Sequence, residues 1–345
     1  MTLRIAVAGA GLIGRAHVER VRQSNECLLA AIADPAPQAE AYAKEQGAAY
    51  YAGLEAMLEA EKPDGVIVAT PNAAHADNAI ACITRGIPVL IEKPVTETAE
   101  KAQQVIAAAE KHGVATLVGH HRRHSPILQE ARRAVREGRL GQLATVTAFV
   151  TFLKPAPYFD TAWRREAGGG PIMINLIHAI DDLRFICGDV ASLQAMTSNH
   201  LRGFAVEDSA TIAFRLVNGA LGTITLSDKA AAPWSWELTA RENPAYPPMP
   251  EDCYFIAGTE GSLAVPSLRY WRYDADVPGW NAPLLPGQLP LDRSDPLVNQ
   301  LAHFCAVIRG ETAPIIDARD GARTLATTLA VYDAAEQGRV ISFTE

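Results

Sequence analysis

The stretch Gly9-Ala10-Gly11-Leu12-Ile13-Gly14 decides the fold of this chain, because it joins a short apolar run to a helical run. The apolar run covers residues 3–8, and the helical pattern continues to Gln23. Glycines at this spacing allow a tight turn, a close approach of the backbone to a pyrophosphate and close packing of helix on strand. The pattern predicts a strand–turn–helix unit that binds a dinucleotide, with a purely structural glycine turn as the alternative.

An acidic residue, Asp34, ends the next apolar run, 20 residues after Gly14. Its carboxylate is predicted to accept hydrogen bonds from both ribose hydroxyls and to repel a 2′-phosphate, which favours NAD over NADP. The free N–H groups at the start of the helix suit the negatively charged phosphates. The cofactor-binding residues predicted in this part of the chain are Gly9, Gly11, Leu12, Ile13, Gly14 and Asp34.

Composition is that of an ordinary globular protein, with 48% hydrophobic and 20% charged residues in a chain of 345. This length suggests two domains. The net charge of −8 gives no support for nucleic acid or an anionic membrane as a partner. No signal-peptide pattern or membrane-length apolar stretch is found. The five cysteines are scattered without a CxxC pair, which favours reduced thiols and a cytoplasmic location.

Residues 3–119 alternate short apolar runs with alanine-rich helical stretches, a pattern typical of a doubly wound parallel sheet. After about residue 121 the pattern becomes β-rich, and Asn218-Gly219 between two apolar runs indicates a hairpin. The fold class predicted is therefore α/β. We expect an NAD-binding Rossmann domain over residues 1–121. An α+β domain over 122–345, with an open, mostly antiparallel sheet, is expected to bind substrate and to form an oligomer interface.

Three further elements are predicted in the second half of the chain. The apolar segment Trp236–Ala240 is typical of a strand, whereas the Pro- and Gly-rich stretch Val277–Pro290 is typical of a loop. A helix predicted over Ile172–Cys187 interrupts the β-rich sequence.

Polar segments follow three of the predicted parallel strands, at the carboxyl ends where ligands gather in such sheets. They are Thr70–His75, Glu92–Pro94 and Gly119–Arg123. Lys93 at such a strand end can reach a bound nicotinamide and, with its pKa lowered by burial, act as a general base. The alternative is that Glu92 and Lys93 form a surface ion pair. His75 is either a capping or cofactor contact or an exposed histidine at a helix start.

The helix predicted over Ile172–Cys187 is apolar except for one polar stripe, Asn175, His178, Asp181 and Asp182. A buried polar stripe needs partners, so we expect Asp181 or Asp182 to orient His178. His178 and Asn175 are then expected to bind substrate, and a histidine suits proton transfer near neutral pH. The alternative is a core histidine with satisfied hydrogen bonds. The triple glycine 168–170 before the helix is either a loop against a ligand or a flexible lead-in.

Basic side chains collect in two segments, His120–His124 and Lys154–Arg165, which indicates an anionic or polyhydroxylated substrate in a chain of negative net charge. A metal site formed by the histidines of the first segment is not predicted, since no carboxylate or cysteine accompanies them and Pro126 breaks the helix that would align them. The predicted substrate-binding residues are Arg122, Arg123, Lys154, Trp163, Arg164, Asn175 and His178.

Together these motifs resemble those of the Gfo/Idh/MocA oxidoreductase family, which includes glucose–fructose oxidoreductase and inositol dehydrogenase. The resemblance covers nearly the whole chain. The matching segments are Gly9–Gly14, Ala69–His75, Glu92–Val95 and Gly168–Gly170, with the helix that carries His178. It implies a Rossmann domain followed by an α/β domain whose open sheet often forms dimers or tetramers.

The resemblance also implies site residues. Lys93 and His178 would be the catalytic pair. Thr70, Asn72, His75, Glu92 and Lys93 would lie along the cofactor. One position departs from the family pattern, because members usually carry an aspartate four residues before the histidine and Ile174 stands there. Asn175 is the nearest polar replacement, and an amide can orient a substrate but cannot act as a base.

The leading hypothesis is an NAD-dependent dehydrogenase that oxidises a secondary alcohol of a sugar, a cyclitol or a carboxylated hydroxy-ring compound. Hydride passes to the nicotinamide in this reaction, while Lys93 and His178 handle the proton. Two alternatives are a non-catalytic dinucleotide-binding sensor or regulator, and an NAD-assisted hydrolase or eliminase.

Overall fold

The computed structural model describes residues 2–274 and 278–343, so Val277 of the predicted loop lies outside the described residues. By its internal contacts the chain divides into two compact units. The first consists of Met1–His121 and Pro296–Ala326, and the second of Arg122–Asp295 and Thr327–Glu345. The first division falls where the sequence predicted it, but residues 296–326, predicted in the second domain, pack with the first.

Specific contacts hold this returning segment in the first unit. A Cβ added to Gly65 would lie 2.5 Å from a side-chain atom of Ile308 and 3.1 Å from one of Phe304, so the returning segment packs directly on that glycine. The Val118 N–H also donates to the Ile316 carbonyl at 3.0 Å. The alternation of apolar runs and helical stretches identified the first unit as far as residue 121. It does not indicate that residues 296–326, far later in the chain, pack with that unit.

The strands are β1 (Leu3–Ala8), β2 (Cys27–Ala33), β3 (Ala49–Tyr51), β4 (Gly65–Val68), β5 (Val89–Ile91), β6 (Thr116–Val118), β7 (Leu143–Thr151), β8 (Val190–Ser198), β9 (Ser209–Leu216), β10 (Leu221–Ser227), β11 (Tyr254–Gly258), β12 (Gly261–Val265), β13 (Arg269–Tyr273), β14 (Leu284–Gln288) and β15 (Ile341–Ser342). The helices are α1 (Leu12–Gln23), α2 (Gln38–Glu45), α3 (Leu54–Glu61), α4 (His75–Ile83), α5 (Ala99–His112), α6 (Pro126–Arg136), α7 (Ile177–Cys187), α8 (Trp236–Thr239), α9 (Pro296–Ile308) and α10 (Ala318–Gln337).

The first unit contains a six-stranded parallel sheet in the order β3-β2-β1-β4-β5-β6. Its central strands are almost entirely buried, which explains their continuous apolar sequences. Strands β2 and β3 lie on one side of β1, and strands β4, β5 and β6 lie on the other, so the strand order reverses between β1 and β4. In sheets of this kind ligands bind at the carboxyl ends of the strands beside such a switch point. The predicted Rossmann sheet is confirmed.

The second unit contains a nine-stranded sheet in the order β14-β13-β12-β11-β7-β10-β9-β8-β15. Only β7 and β10 pair in parallel; the other neighbours run antiparallel. The Asn218-Gly219 turn joins β9 to β10 as predicted, with Gly219 at φ +92°. The predicted mostly antiparallel sheet is therefore confirmed.

Two local predictions in this unit are wrong. Trp236–Thr239 is a short helix rather than a strand, because the Trp236 ring is 5% exposed, stacks on Tyr254 and donates from Nε1 to Glu242 at 3.0 Å. Such tertiary contacts override local β propensity. Leu284–Gln288, predicted as loop, pairs with β13. Its Pro286 is tolerated because β14 lies at the edge of the sheet.

In the part of the chain that the structure describes, no helix is both long and apolar enough to cross a membrane.

Candidate active site

The glycine turn follows β1, and its three glycines have different surroundings. Gly9 adopts φ +98°, and a Cβ added there would lie 2.3 Å from the Ala69 carbonyl oxygen. A Cβ on Gly14 would lie 2.0 Å from the Gly9 carbonyl oxygen, whereas one on Gly11 would meet no atom within 4 Å. Gly9 and Gly14 are therefore required for packing. Gly11 borders open space at the N-terminus of α1, beside a Leu12 that is 91% exposed, and this space fits a pyrophosphate.

Asp34, at the end of β2, braces this turn. Its Oδ2 accepts the Ala10 N–H at 2.6 Å and its Oδ1 accepts the Ala36 N–H at 2.8 Å. Each carboxylate oxygen has a second lone pair, so these bonds leave acceptor capacity for ribose hydroxyls. The bracing role is a second function that the sequence did not indicate.

Because Gly11 borders open space and Gly14 is closely packed, alanine at these two positions should affect different properties: NAD binding at Gly11 and stability at Gly14. We expect Gly11→Ala to weaken NAD binding about tenfold or more, because the methyl group would occupy the space beside the pyrophosphate. Its thermal unfolding should be unchanged, since its φ of −71° is compatible with alanine. Gly14→Ala is the comparison, and it should lower the unfolding temperature because its Cβ meets backbone. NAD titration and thermal unfolding of both variants test this, and wild-type NAD affinity in Gly11→Ala would contradict it.

Glu92 and Lys93 follow β5, and they do not form the surface ion pair considered as an alternative. Glu92 is 4% exposed, and its Oε1 lies 2.7 Å from Nε2 of His17 in α1. Burial acts to raise the pKa of Glu92. The His17 hydrogen bond and the positive charges of His17, His121 and Lys93 outweigh burial and leave that pKa lowered. The Glu92 carboxylate is thus buried against α1, and its place along the cofactor stays a prediction. Lys93 is half-buried.

His75, at the start of α4, is 1% exposed, so it is not the exposed histidine considered from the sequence. Its Nδ1 lies 2.8 Å from the Pro94 carbonyl oxygen and its Nε2 lies 2.9 Å from the Thr70 carbonyl oxygen. Both contacts are hydrogen bonds only when both ring nitrogens carry protons, because carbonyls only accept. Both nitrogens face backbone carbonyls, so His75 bridges the segments that follow β4 and β5, and its contact with the cofactor stays a prediction. Asn72 is exposed at the same sheet edge.

The segment with Asn175 and His178 begins as a π turn over Ile172–Leu176 and continues as α7. Asn175 and His178 are 9% and 8% exposed. The Asn175 Oδ1 atom is buried and accepts no hydrogen bond from any residue that the structure describes. A buried acceptor of this kind calls for a donor, such as a substrate hydroxyl. π turns often occur at functional sites.

Two of the three glycines before this turn, Gly169 and Gly170, are closely packed, which favours a fixed loop over the flexible lead-in considered from the sequence, whereas Gly168 is exposed. A Cβ on Gly169 would lie 2.1 Å from the Trp163 carbonyl oxygen, and one on Gly170 would lie 2.3 Å from Oε1 of Glu207. The same Glu207 oxygen accepts the Ile172 N–H at 2.9 Å and so caps the π turn. Sequence analysis missed Glu207, because it lies 35 residues from the N–H it binds.

Lys154 and Arg164 both lie close to one aromatic ring, that of Tyr158. The Lys154 Nζ is 4.8 Å from the centre of the Tyr158 ring, and the Arg164 guanidinium is 4.0 Å from the same centre. Burial lowers the pKa of Lys154, and the charge of Asp228, 3.3 Å away, opposes that effect. The cationic cluster of Lys154, Tyr158 and Arg164 is therefore polar, aromatic and partly desolvated. Trp163 beside it is 51% exposed.

The prediction that Arg122 and Arg123 bind substrate is corrected by their burial. Arg122 bonds Asp182 at 2.9 Å and Glu237 at 2.6 Å, and Arg123 bonds both oxygens of Asp181 at 2.8 and 2.7 Å. Both arginines are 5% exposed or less. Their charges are thus balanced inside the unit, so they do not support an anionic substrate. That Asp181 or Asp182 orients His178 stays a prediction.

A search of residues 2–274 and 278–343 finds no group of three or more His, Cys, Asp or Glu side chains that would hold a metal ion. His120, His121 and His124 therefore do not form such a group in the described chain. His120 and His124 are buried at the ends of the short segment that contains the two paired arginines.

Glu242, next to this arginine cluster, gives a pH-dependent prediction. Burial raises its pKa to about 7, while hydrogen bonds from Ser125 and Trp236 oppose the shift. A raised folded-state pKa means that the folded state holds an extra proton between about pH 4.5 and pH 7, so stability falls as pH rises through this window.

We therefore expect the change in the free energy of unfolding caused by Glu242→Gln to depend on pH. This change should be more stabilising at about pH 8 than at about pH 5, by about 1–3 kcal/mol. The amide can accept from Trp236 and donate to the Ser125 hydroxyl, so both contacts survive. Urea unfolding at the two pH values measures the difference, with the exposed Glu251→Gln as control. Equal effects of Glu242→Gln at both pH values would show that this carboxyl titrates normally.

Comparisons with known proteins agree with both halves of the chain. Residues 3–120 match the family model described as "Oxidoreductase family, NAD-binding Rossmann fold", and residues 128–264 match "GFO/IDH/MocA C-terminal domain". The 1,5-anhydro-D-fructose reductase of Ensifer adhaerens is 29% identical over 95% of this chain and 96% of its own. The rhizopine catabolism protein MocA of Rhizobium meliloti is 32% identical over 65% of this chain and 70% of its own.

A solved structure with the same fold is that of the WlbA dehydrogenase from Bordetella pertussis in complex with NADH and UDP-GlcNAcA. It superposes with a TM-score of 0.81 over 100% of both chains, at 26% sequence identity.

Proposed function

The chain belongs to the Gfo/Idh/MocA family of oxidoreductases, and from this premise we propose that it is an NAD-dependent dehydrogenase of secondary alcohols. The observation that carries the proposal is that the glycine turn and Lys93 follow β1 and β5 at the same carboxyl edge of one parallel sheet. A half-buried lysine at that edge, on the same sheet as a dinucleotide-binding turn, suits a general base.

Bound NAD would accept the hydride, which is chemistry that no side chain supplies. In this proposal Lys93, as the neutral amine, takes the proton from the substrate hydroxyl. His178 and Asn175 orient the substrate, and the buried Asn175 Oδ1 accepts a hydrogen bond from a second hydroxyl. Glu207 keeps the π turn in place from its first N–H, which fixes the direction of both side chains.

Asp34 supports NAD over NADP in this proposal. Its carboxylate is held at the end of β2 by two backbone N–H groups, so it cannot turn away from an approaching 2′-phosphate without losing both hydrogen bonds. A fixed negative charge there repels a phosphate and accepts from ribose hydroxyls.

The substrate that we propose is a sugar, a cyclitol or a hydroxylated ring that carries a carboxylate. Relatives named for 1,5-anhydro-D-fructose and inositol support the hydroxylated class. Lys154, Trp163 and Arg164 are the proposed contacts of the second unit, since Trp163 is exposed and both cations lie close to the Tyr158 ring. An assembly of two or four copies and a cytoplasmic location remain part of the proposal.

The test is NADH formation, followed by absorbance, with NAD or NADP and a panel of cyclitols, sugars, sugar acids and cyclic hydroxy acids. We expect at least one compound to be oxidised and NAD to be preferred. Dinucleotide binding without any turnover would indicate the sensor alternative. Cleavage of a substrate bond without net NADH would indicate the hydrolase or eliminase.

A further inference from the structure

Glu92, the residue before Lys93, forms a buried hydrogen-bonded pair with His17 in the first unit, and the proposed reaction does not use this pair. Glu92, 4% exposed, is bonded at 2.7 Å to His17, which is 2% exposed. Carboxylates are almost never buried to this extent unless they are paired, because the desolvation cost is high. A buried pair immediately beside the candidate base therefore calls for a reason beyond packing.

Three contacts fix Glu92 and Lys93 in place. The second carboxylate oxygen of Glu92 accepts the backbone N–H of Lys93 at 3.1 Å. Gly119 leaves room for Glu92, since a Cβ there would lie 2.9 Å from its Cα, Cδ and Oε1 atoms. On the other side of Lys93, the Pro94 carbonyl oxygen lies 2.8 Å from Nδ1 of His75. The backbone that carries the lysine is thus held both before and after it.

The charge of Glu92 also bears on the protonation of Lys93, the next residue in the chain. The groups that face Glu92 are His17 from α1, His121 after β6 and Lys93 in its own segment. Burial favours the neutral acid, but the hydrogen bond and charges of these groups outweigh it and keep the pKa of Glu92 lowered. Glu92 is therefore ionised at neutral pH. A nearby negative charge stabilises the protonated form of a lysine.

We propose that Glu92, held by His17, is a positioning residue that fixes the backbone of Lys93 and keeps one negative charge on the residue next to it in the chain. The inference rests on the proposed role of Lys93 as the base. It follows that Glu92 sets the pH at which the lysine becomes a neutral amine. Without this charge, the amine would be free at lower pH but would be a weaker base.

The first test measures Lys93 itself and needs no substrate. Competitive labelling with acetic anhydride across pH, read by mass spectrometry, reports the pH at which Lys93 is half deprotonated. We expect Glu92→Gln to lower this midpoint by about one pH unit. Glu92→Asp keeps the charge and should keep the midpoint close to wild type. Glu59→Gln, an exposed change of the same type in the same unit, should leave it unchanged.

If Glu92→Gln does not fold, His17→Asn tests the positioning part. Loss of the imidazole removes the hydrogen bond that holds Glu92, so the backbone N–H of Lys93, which Glu92 accepts, should exchange with deuterium faster than in wild type, and unchanged exchange would count against the proposal. An unchanged Lys93 midpoint in a folded Glu92→Gln variant would overturn the proposal.

Turnover gives the second readout. In an active enzyme, the acidic limb of the kcat/KM profile should move to lower pH in Glu92→Gln, while the NAD dissociation constant stays close to wild type. A purely structural role would lower kcat at every pH without moving that limb, and would overturn the electrostatic part. The two proposals fail separately, because a chain that oxidises nothing can still show the labelling shift.

Discussion

Lys93→Met is expected to lower kcat by about 10³-fold, because a thioether of similar length cannot accept the hydroxyl proton. The half-buried side chain should still pack, and NAD affinity should be little changed, since the glycine turn and Asp34 are intact. Steady-state turnover with a compound from the substrate panel and a fluorescence titration with NAD measure the two quantities. Lys44→Met, an exposed lysine of the same unit, is the matched control and should retain full turnover. Unchanged turnover of Lys93→Met across the panel would show that another group is the base.

Arg122→Met is expected to destabilise the protein by about 3–5 kcal/mol at neutral pH, because it leaves one fully buried and one partly buried carboxylate without their cation. Those carboxylates belong to Asp182 and Glu237, and the guanidinium also lies 5.5 Å from the centre of the Trp236 ring. Burial raises the pKa of Asp182 to about 6 even with Arg122 present. The loss should therefore be smaller at about pH 5, where this carboxyl is protonated more readily.

Urea unfolding at the two pH values tests this expectation, with exposed Arg165→Met as control. The outcome also decides between two roles of Arg122. A stable variant with a raised KM would restore the substrate contact predicted from the sequence, whereas a destabilised variant supports the buried ion-pair role.

The features that the sequence predicted correctly depend on residues close together in the chain. The Rossmann sheet followed from the spacing of Gly9–Gly14 and the alternation of apolar runs, and the β9–β10 hairpin followed from Asn218-Gly219. Each of these signals lies within one strand–turn unit, where backbone geometry restricts which residues fit.

The features that the sequence did not reveal depend on partners far apart in the chain. His17 and Glu92 are 75 residues apart, and Arg122 meets Glu237 across 115 residues. A single sequence contains no record of such pairings, so Arg122 was predicted as a substrate contact and the burial of Glu92 against His17 was not predicted. The burial and the partners of Arg122 and Glu92 change the interpretation of both residues, because a buried charge needs a partner of opposite charge close to it.

The most direct test of the central claim follows hydride rather than absorbance. The protein is incubated with NAD and a panel of compounds that carry deuterium on the carbinol carbons, and the nicotinamide is then analysed by mass spectrometry. We predict deuterium in the NADH formed by the wild type, and formation of labelled NADH about 10³-fold slower with Lys93→Met. Product formation or bond cleavage that leaves the nicotinamide unlabelled, in a protein that binds NAD, would contradict it.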